Sequence, residues 1–197
     1  MKYKLHTYTQ KFLADTITPV SAYLRLRDKF PGSILLESSD YRVNENAFSF
    51  VCFEPIATIK IKHNKIYKKL PDGTEVVEDI DENTDVIQEI QSFANLFEVT
   101  SVVQKLVKNG LFGFISYDAI QYFSDVAVDK SKSELDLPEV YYAVYKNVIA
   151  INHFRNEGII LCHDLEGNDE SDEIANLLKV KSYSEYEFQT KQGLTSN

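Results

Sequence analysis

Hydrophobic residues along this 197-residue chain recur mainly in the short, alternating or continuous runs typical of β-strands. These runs are rich in Val, Ile, Thr and aromatic residues, which favour strands. The runs cover residues 5–12, 33–38, 48–53, 56–69, 110–117, 140–153 and 159–165. The 56–69 run predicts a hairpin turning at His63-Asn64, and Pro55 is predicted to end the strand before it. Further turn signals are Pro31-Gly32, Pro71-Asp72-Gly73 and Asn156-Glu157-Gly158.

Other stretches carry helical patterns. Thr18 is a good helix cap and Pro19 suits the first helical position, so a helix is predicted to start there. Its apolar stripe is predicted to be Val20, Tyr23 and Leu24. Apolar residues at helical spacing predict a second helix over 85–97, and a final helix capped by Asp169 or Ser171 runs through Leu178. A short helical turn is expected over 118–123.

Long hairpins with inserted helices indicate an α+β fold with largely antiparallel sheets packed against helices. We predict one domain over residues 1–180. Residues 181–197 are polar and are predicted to form a linker. Polar loops are expected at 40–46 and 124–137.

The formal charge of −9 argues against nucleic acid and anionic lipid as partners. A local exception is a lysine-rich stretch, whose members are Lys60, Lys62, Lys65, Lys68 and Lys69. A solvated hairpin face, with lysines protecting a sheet edge, is favoured over a phosphate-binding patch.

The chain has two cysteines, Cys52 and Cys162. They are expected to be reduced and buried, although a disulfide between them is an open alternative. No apolar signal segment follows the N-terminus and there is no run of 18 apolar residues, so a cytoplasmic location without membrane contact is expected.

Motifs for a catalytic site are absent from the sequence: we find no nucleophile elbow, phosphate loop or dinucleotide fingerprint. The four histidines are scattered, which argues against a metal site, and Cys162 and His163 should face opposite sides of a strand. We therefore predict no catalytic, cofactor-binding or metal-binding residues in this chain.

Two stretches place acids beside hydroxyls or aromatic rings. In Leu35-Leu36-Glu37-Ser38-Ser39, a carboxylate and two hydroxyls follow a buried strand and could bind a free amino acid. On spacing alone, a strand end capped by Ser38 is the simpler interpretation. In Tyr117-Asp118, the aspartate is favoured as a helix cap.

Taken together, several segments resemble anthranilate synthase component I. They are Thr18-Pro19-Val20, the Leu35-Leu36-Glu37-Ser38 motif, Phe48-Ser49-Phe50 closed by Pro55, and Gly110-Leu111-Phe112-Gly113 running into Tyr117-Asp118. Leu137-Pro138, followed by the long strand to Asn152-His153, also fits. The order and spacing agree across nearly the whole chain.

This resemblance implies the N-terminal regulatory domain of a lyase, without the C-terminal half that binds chorismate and Mg²⁺. It implies that Leu36, Glu37, Ser38 and Phe48 bind L-tryptophan, the feedback inhibitor. The implied partners are the glutamine amidotransferase subunit and the catalytic half. Ala47 replaces an arginine common in the family, which puts details of the effector response in doubt.

Three alternatives remain at this stage. The N-terminal domain of aminodeoxychorismate synthase component I has the same implied fold and can also carry Leu-Leu-Glu-Ser. A stand-alone amino-acid sensor or docking domain is a second alternative. A purely structural domain is a third, in which Glu37 and Ser38 only finish a strand.

Overall fold

Strands dominate the structure, a computed structural model that describes residues 2–38, 47–100, 110–126, 128 and 136–180. Within these ranges the strands are β1 Tyr3–Leu13, β2 Ile34–Leu36, β3 Phe48–Lys62, β4 Lys65–Lys69, β5 Glu75–Asp79, β6 Phe97–Val99, β7 Phe112–Ile115, β8 Val140–Asn152 and β9 Glu157–Asp164. The α-helices are α1 Pro19–Leu26, α2 Val86–Ala94 and α3 Ser171–Lys179, and a 3₁₀ helix spans Tyr117–Tyr122. The predicted α+β class, with mostly antiparallel pairing, is confirmed.

Two long antiparallel strands, β3 and β8, pair from Phe48–Asn152 to Ile61–Val140 and divide the sheet into two halves. The half-sheet near Phe48 adds β2 on one side and β9, β1 and β6 on the other. We call it the first half-sheet. The half-sheet near Ile61 adds β4, β5 and β7, and we call it the second half-sheet.

The predicted strand end at Pro55 is wrong, because β3 continues through it to Lys62. The pairing register with β8 shifts between Pro55 and Ala57, and Glu54 has a positive φ of 58°. Such a bulge takes a residue out of the regular ladder, so the missing N–H of a proline is tolerated there. The bulge marks the boundary between the two half-sheets.

Helices α1 and α3 cover one face of the first half-sheet. The predicted start of α1 is confirmed, since Thr18 Oγ1 accepts a hydrogen bond from the Ser21 N–H at 3.1 Å. The predicted stripe is partly wrong: Val20 is 44% exposed, whereas Ala22 and Leu26 are fully buried. They pack with Phe53 of β3 and with residues of α3.

The second half-sheet packs its core against α2, where Phe93 meets Ile59 and Ile61 of β3. The helix predicted over 85–97 is shorter, because it ends at Ala94 and Phe97 begins β6. Strand β6 pairs in parallel with β1. Neither β5 nor β6 was predicted as a strand.

The lysine-rich hairpin turns where predicted, with φ values of 52° at His63 and 60° at Asn64. Its lysines contact acidic or aromatic neighbours: Lys62–Asp136, Lys65–Asp79, Lys68 with Glu78 and Glu89, Lys69–Glu75, and Lys60 over the Tyr67 ring. This favours a charge-paired face over a phosphate patch. The expected edge is not at β4, because β5 pairs along it.

Helix caps elsewhere differ from expectation. Asp118 does not cap the 3₁₀ helix, since Ser116 precedes it and Asp118 lies in the first turn. Before α3, Asp169 Oδ1 accepts a hydrogen bond from the Ser171 N–H at 2.9 Å, while Glu170 occupies the cap position.

Both cysteines are free and buried, so the disulfide alternative is wrong. Burial raises the pKa of the Cys162 thiol to about 12, which keeps it protonated and unreactive. None of the described helices is long and apolar enough to cross a membrane. The loop predicted at 40–46, most of the 124–137 loop and the linker 181–197 lie outside the described residues.

Candidate functional site

The candidate site lies where the short strand β2 ends beside the start of β3. A buried strand over residues 33–38 was predicted, but β2 spans only Ile34–Leu36 and is half-buried. It pairs with β3 alone, so its other edge is without a strand partner among the described residues. Leu36 is opposite Phe50. Glu37 and Ser38 therefore leave the sheet at an open edge.

An aromatic surface lies next to this strand end on one face of the sheet. The ring centroids of Phe48 and Phe50 are 6.2 Å apart and stacked, and those of Phe50 and Phe112 are 5.5 Å apart. Phe48 and Phe50 remain half-buried. Side chains of this kind bind apolar or aromatic ligands through area and ring stacking.

The backbone of Ser38 is hydrogen-bonded to the buried hydroxyl of Ser49. The Ser38 N–H donates to Ser49 Oγ at 3.2 Å, and Ser49 Oγ lies 2.7 Å from Nε2 of His153. Ser49 is 0% exposed. Its neighbours in β3 are Phe48 and Phe50, so strand alternation places the hydroxyl on the face opposite the aromatic surface.

His153 is in turn fixed at the end of β8. Its N–H donates to the Ala47 carbonyl at 3.0 Å, which joins the β8–β9 turn to the start of β3. The turn is stabilised by Asn152 Oδ1, which accepts from the N–H groups of Phe154 and Arg155, each at 2.9 Å. Three segments distant in sequence thus meet at Ser38.

Leu36 is paired with Phe50 and the Ser38 N–H bonds to Ser49, so both residues lie beside the start of β3, where Phe48 is the first residue. Glu37 is exposed, and its carboxylate makes no hydrogen bond or ion pair with any residue in the described part of the chain. A carboxylate in that state keeps all its acceptor sites for a cationic group. Ser39 lies outside the described residues.

Ser49 and His153 are residues that sequence reasoning missed as site residues. One available signal was a serine within an otherwise apolar strand, where a buried hydroxyl needs a partner. The partner could not be identified from spacing, because His153 is 104 positions away. Tyr117 and Asp118 are not part of this cluster; Tyr117 is 84% exposed beside β7.

A buried histidine, His163, lies in the same half-sheet. His163 is 1% exposed, its Nδ1 lies 2.8 Å from Thr7 Oγ1, and burial lowers its pKa to about 4. Cys162 packs in the core beneath the helices, on the opposite face, as predicted for adjacent strand residues. Within the described ranges, no three His, Cys, Asp or Glu residues are grouped to hold a metal.

Known proteins resemble this chain over most of its length, although no protein-family model matches it. Anthranilate synthase component 1 of Thermus thermophilus is 28% identical over 161 residues, which cover 78% of this chain and 31% of that protein. The Saccharomyces cerevisiae protein of the same name is 31% identical over 162 residues, or 79% and 29%.

A solved structure, described as anthranilate synthase component I from Streptococcus pneumoniae, matches 84% of this chain and 34% of its own. The TM-score is 0.47 and the sequence identity 19%. By its sequence matches, the chain spans about a third of the length of the curated relatives.

Proposed function

The chain is homologous to anthranilate synthase component 1 over 78% of its length, and we propose that it is the N-terminal regulatory domain of such an enzyme. The observation that carries this proposal is the pattern of coverage: most of this chain matches, but only 31% of the relative is matched. A single domain of a larger enzyme produces that pattern. We place this enzyme in the cytoplasm, in tryptophan biosynthesis.

The proposed enzyme converts chorismate and ammonia, supplied from glutamine, to anthranilate and pyruvate. This carbon–oxygen lyase chemistry, and the Mg²⁺ that would neutralise the substrate carboxylate, belong to a catalytic half that this chain does not contain. The described residues offer no metal-ligand cluster. The chain alone is therefore expected to be inactive, and its role is to bind the inhibitor.

The proposed inhibitor is L-tryptophan, bound at the end of β2. Glu37 would receive the ammonium group in a charge-assisted hydrogen bond, and Ser38 would bind the carboxylate. Leu36 and Phe48 would contact the indole ring. Support comes from the position of Leu36 and Ser38 beside the start of β3, and from the Glu37 carboxylate, which bonds to none of the residues that the structure describes.

Inhibition is proposed to be a population shift. Tryptophan can inhibit only if it binds the inactive arrangement of the two halves more tightly than the active one. If each half supplies one wall of the pocket, tryptophan affinity depends on how the two halves are arranged. The isolated chain should then bind tryptophan weakly, with a dissociation constant in the millimolar range by calorimetry. A micromolar constant would contradict the shared pocket.

The proposed partners are the catalytic half and the glutamine amidotransferase subunit. Support comes from large apolar side chains that stay exposed around β7 and the 3₁₀ helix, namely Phe114, Ile115, Tyr117, Phe123 and Leu137. Clusters of exposed apolar side chains mark interaction surfaces more often than isolated ones do.

The test is Ser38→Phe in the enzyme that joins this domain to its catalytic half. The larger side chain should fill the pocket, so anthranilate formation continues while the tryptophan concentration for half-inhibition rises by roughly tenfold or more. Ser92→Phe, at an exposed serine of α2, is the matched control. Unchanged inhibition in Ser38→Phe would overturn the site assignment.

A further inference from the structure

A pair of hydrogen bonds through the buried Ser49 hydroxyl connects the candidate site to the C-terminal end of β8. It runs from the Ser38 N–H to Ser49 Oγ at 3.2 Å and from Ser49 Oγ to His153 Nε2 at 2.7 Å. The resemblance to known proteins assigns no role to either Ser49 or His153. Both lie on the face of the sheet opposite Phe48, so neither can touch a ligand that packs on the aromatic surface.

The Ser49 hydroxyl joins two partners. Its oxygen accepts the Ser38 N–H at 3.2 Å and lies within hydrogen-bond distance, 2.7 Å, of His153 Nε2. A hydroxyl can both accept and donate, so it can hold both contacts at once. Because Ser49 is 0% exposed, water cannot replace a missing partner.

Ser38 needs such support because β2 is short. Three residue pairs join β2 to β3, and they end at Leu36–Phe50, two residues before Ser38. Beyond that pair, the ladder no longer fixes the backbone. The hydrogen bond to Ser49 helps to fix the Ser38 peptide there, and the contact with His153 helps to fix the Ser49 hydroxyl.

We propose that Ser49 and His153 are positioning residues for the amino-acid site: they preorganise the Ser38 backbone so that tryptophan binds without first ordering it. This inference rests on the proposed tryptophan site. Preorganisation increases affinity by removing an ordering cost rather than by adding a contact. Loss of either residue should thus weaken tryptophan binding while the fold persists.

The experiment uses this chain, labelled with ¹⁵N, and four variants. Ser49→Ala removes the hydroxyl. His153→Leu removes the hydrogen-bonding partner of Ser49. His153→Gln retains a side-chain amide that can hydrogen-bond to Ser49 at a similar reach. His63→Gln, in the exposed hairpin turn, is the matched control.

Two measurements are expected to agree. Hydrogen exchange of the Ser38 amide should be roughly tenfold faster in Ser49→Ala and His153→Leu, because one hydrogen bond is lost or weakened. Titration with millimolar L-tryptophan should shift the Ser38 and Phe48 signals, with an affinity at least about fivefold weaker in those two variants. His153→Gln should restore wild-type behaviour, and His63→Gln should leave it unchanged.

Each failure has a distinct meaning. If tryptophan shifts no signal near Ser38 in the wild type, the proposed tryptophan site fails, and this inference fails with it. If tryptophan binds wild type and Ser49→Ala equally, the site stands and the positioning role is overturned. The same conclusion follows if Ser38 exchanges equally fast in both proteins, or if His153→Gln behaves like His153→Leu.

Discussion

The two half-sheets treat their polar groups differently, although β3 and β8 run through both. In the second half-sheet, the polar side chains pair with one another at the surface, as Lys65 does with Asp79 and Lys69 with Glu75. The first half-sheet instead buries polar side chains within its strands: Thr7, Ser49, Asn147, Asn152 and His163 are each 7% exposed or less.

Exposed ion pairs and buried polar side chains have different consequences for the protein. Exposed ion pairs add little stability, but they keep a sheet face soluble and specify its pairing. A buried hydroxyl or imidazole is costly unless every hydrogen bond is made, and it then fixes one arrangement of the chain. The candidate site lies in the half-sheet whose strands bury these polar side chains.

The comparison predicts that acid destabilises the first half-sheet through His163. An unfolded histidine takes up a proton below pH about 6.5, whereas buried His163 does so only near a pKa of about 4. The unfolded state therefore binds more protons in this window, and the free energy of unfolding falls by up to about 3 kcal/mol as pH decreases from 6.5 to 4.

Urea unfolding across that pH range would measure the effect. His163→Gln, which keeps a hydrogen-bonding group for Thr7, should flatten this part of the pH dependence. His63→Gln should not, because His63 is 67% exposed. Carboxylates with lowered pKa values, such as Asp164, contribute below about pH 4 and are common to all three proteins. An equal slope in wild type and His163→Gln would contradict the prediction.

In the second half-sheet, the substitution expected to reduce stability most acts through a steric clash rather than through a lost polar contact. A Cβ added to Gly113 would lie 2.0 Å from the Tyr141 carbonyl oxygen, so β7 cannot stay paired with β8 in its present position. Gly113→Ala should lower the free energy of unfolding by about 2 kcal/mol. Gly110→Ala is the control, since its nearest contact is the Phe112 ring at 3.8 Å. Equal melting temperatures for the two variants would refute the close approach.

A double-mutant cycle between Ser49→Ala and His153→Leu would sharpen the contrast. The two side chains lie within hydrogen-bond distance, 2.7 Å, so their effects on unfolding should not add. We expect a coupling free energy of about 1 kcal/mol from urea unfolding of the four proteins. Strict additivity would mean that the contact is not maintained in solution.

The smallest effect is expected for the charged hairpin. Lys68 lies 2.7 Å from Glu78 and 2.6 Å from Glu89 and is mostly buried, so Lys68→Met should cost at most about 1 kcal/mol, and less at high salt. Lys65→Met, at an exposed pair, should have no measurable effect. A larger loss for Lys65→Met than for Lys68→Met would reverse the interpretation of this surface.

Local chemistry predicted the elements that depend on local contacts. The Thr18 cap and the His63-Asn64 turn need only neighbouring residues, and both are confirmed. The passage of β3 through Pro55 was not predicted, because it depends on a bulge against β8. Strand β6 was missed because Phe97 continues the helical spacing of α2, and its pairing with Tyr3 overrides that pattern.

In the candidate site, too, distant contacts could not be predicted from the sequence. The Leu36-Glu37-Ser38 segment was singled out by a family resemblance, whereas its residues alone favoured a capped strand end. Its assignment to tryptophan remains a prediction. The support behind Ser38 was not identifiable, since it requires three strand ends to meet in space.

The long β3–β8 ladder also has a consequence for how the chain folds. Its residue pairs are about a hundred positions apart at one end, so most native pairing requires closure of a very long loop. Chains with such high contact order fold slowly, in milliseconds to seconds. Because both half-sheets share these two strands, neither can complete its pairing alone, and the chain should fold and unfold as one cooperative unit.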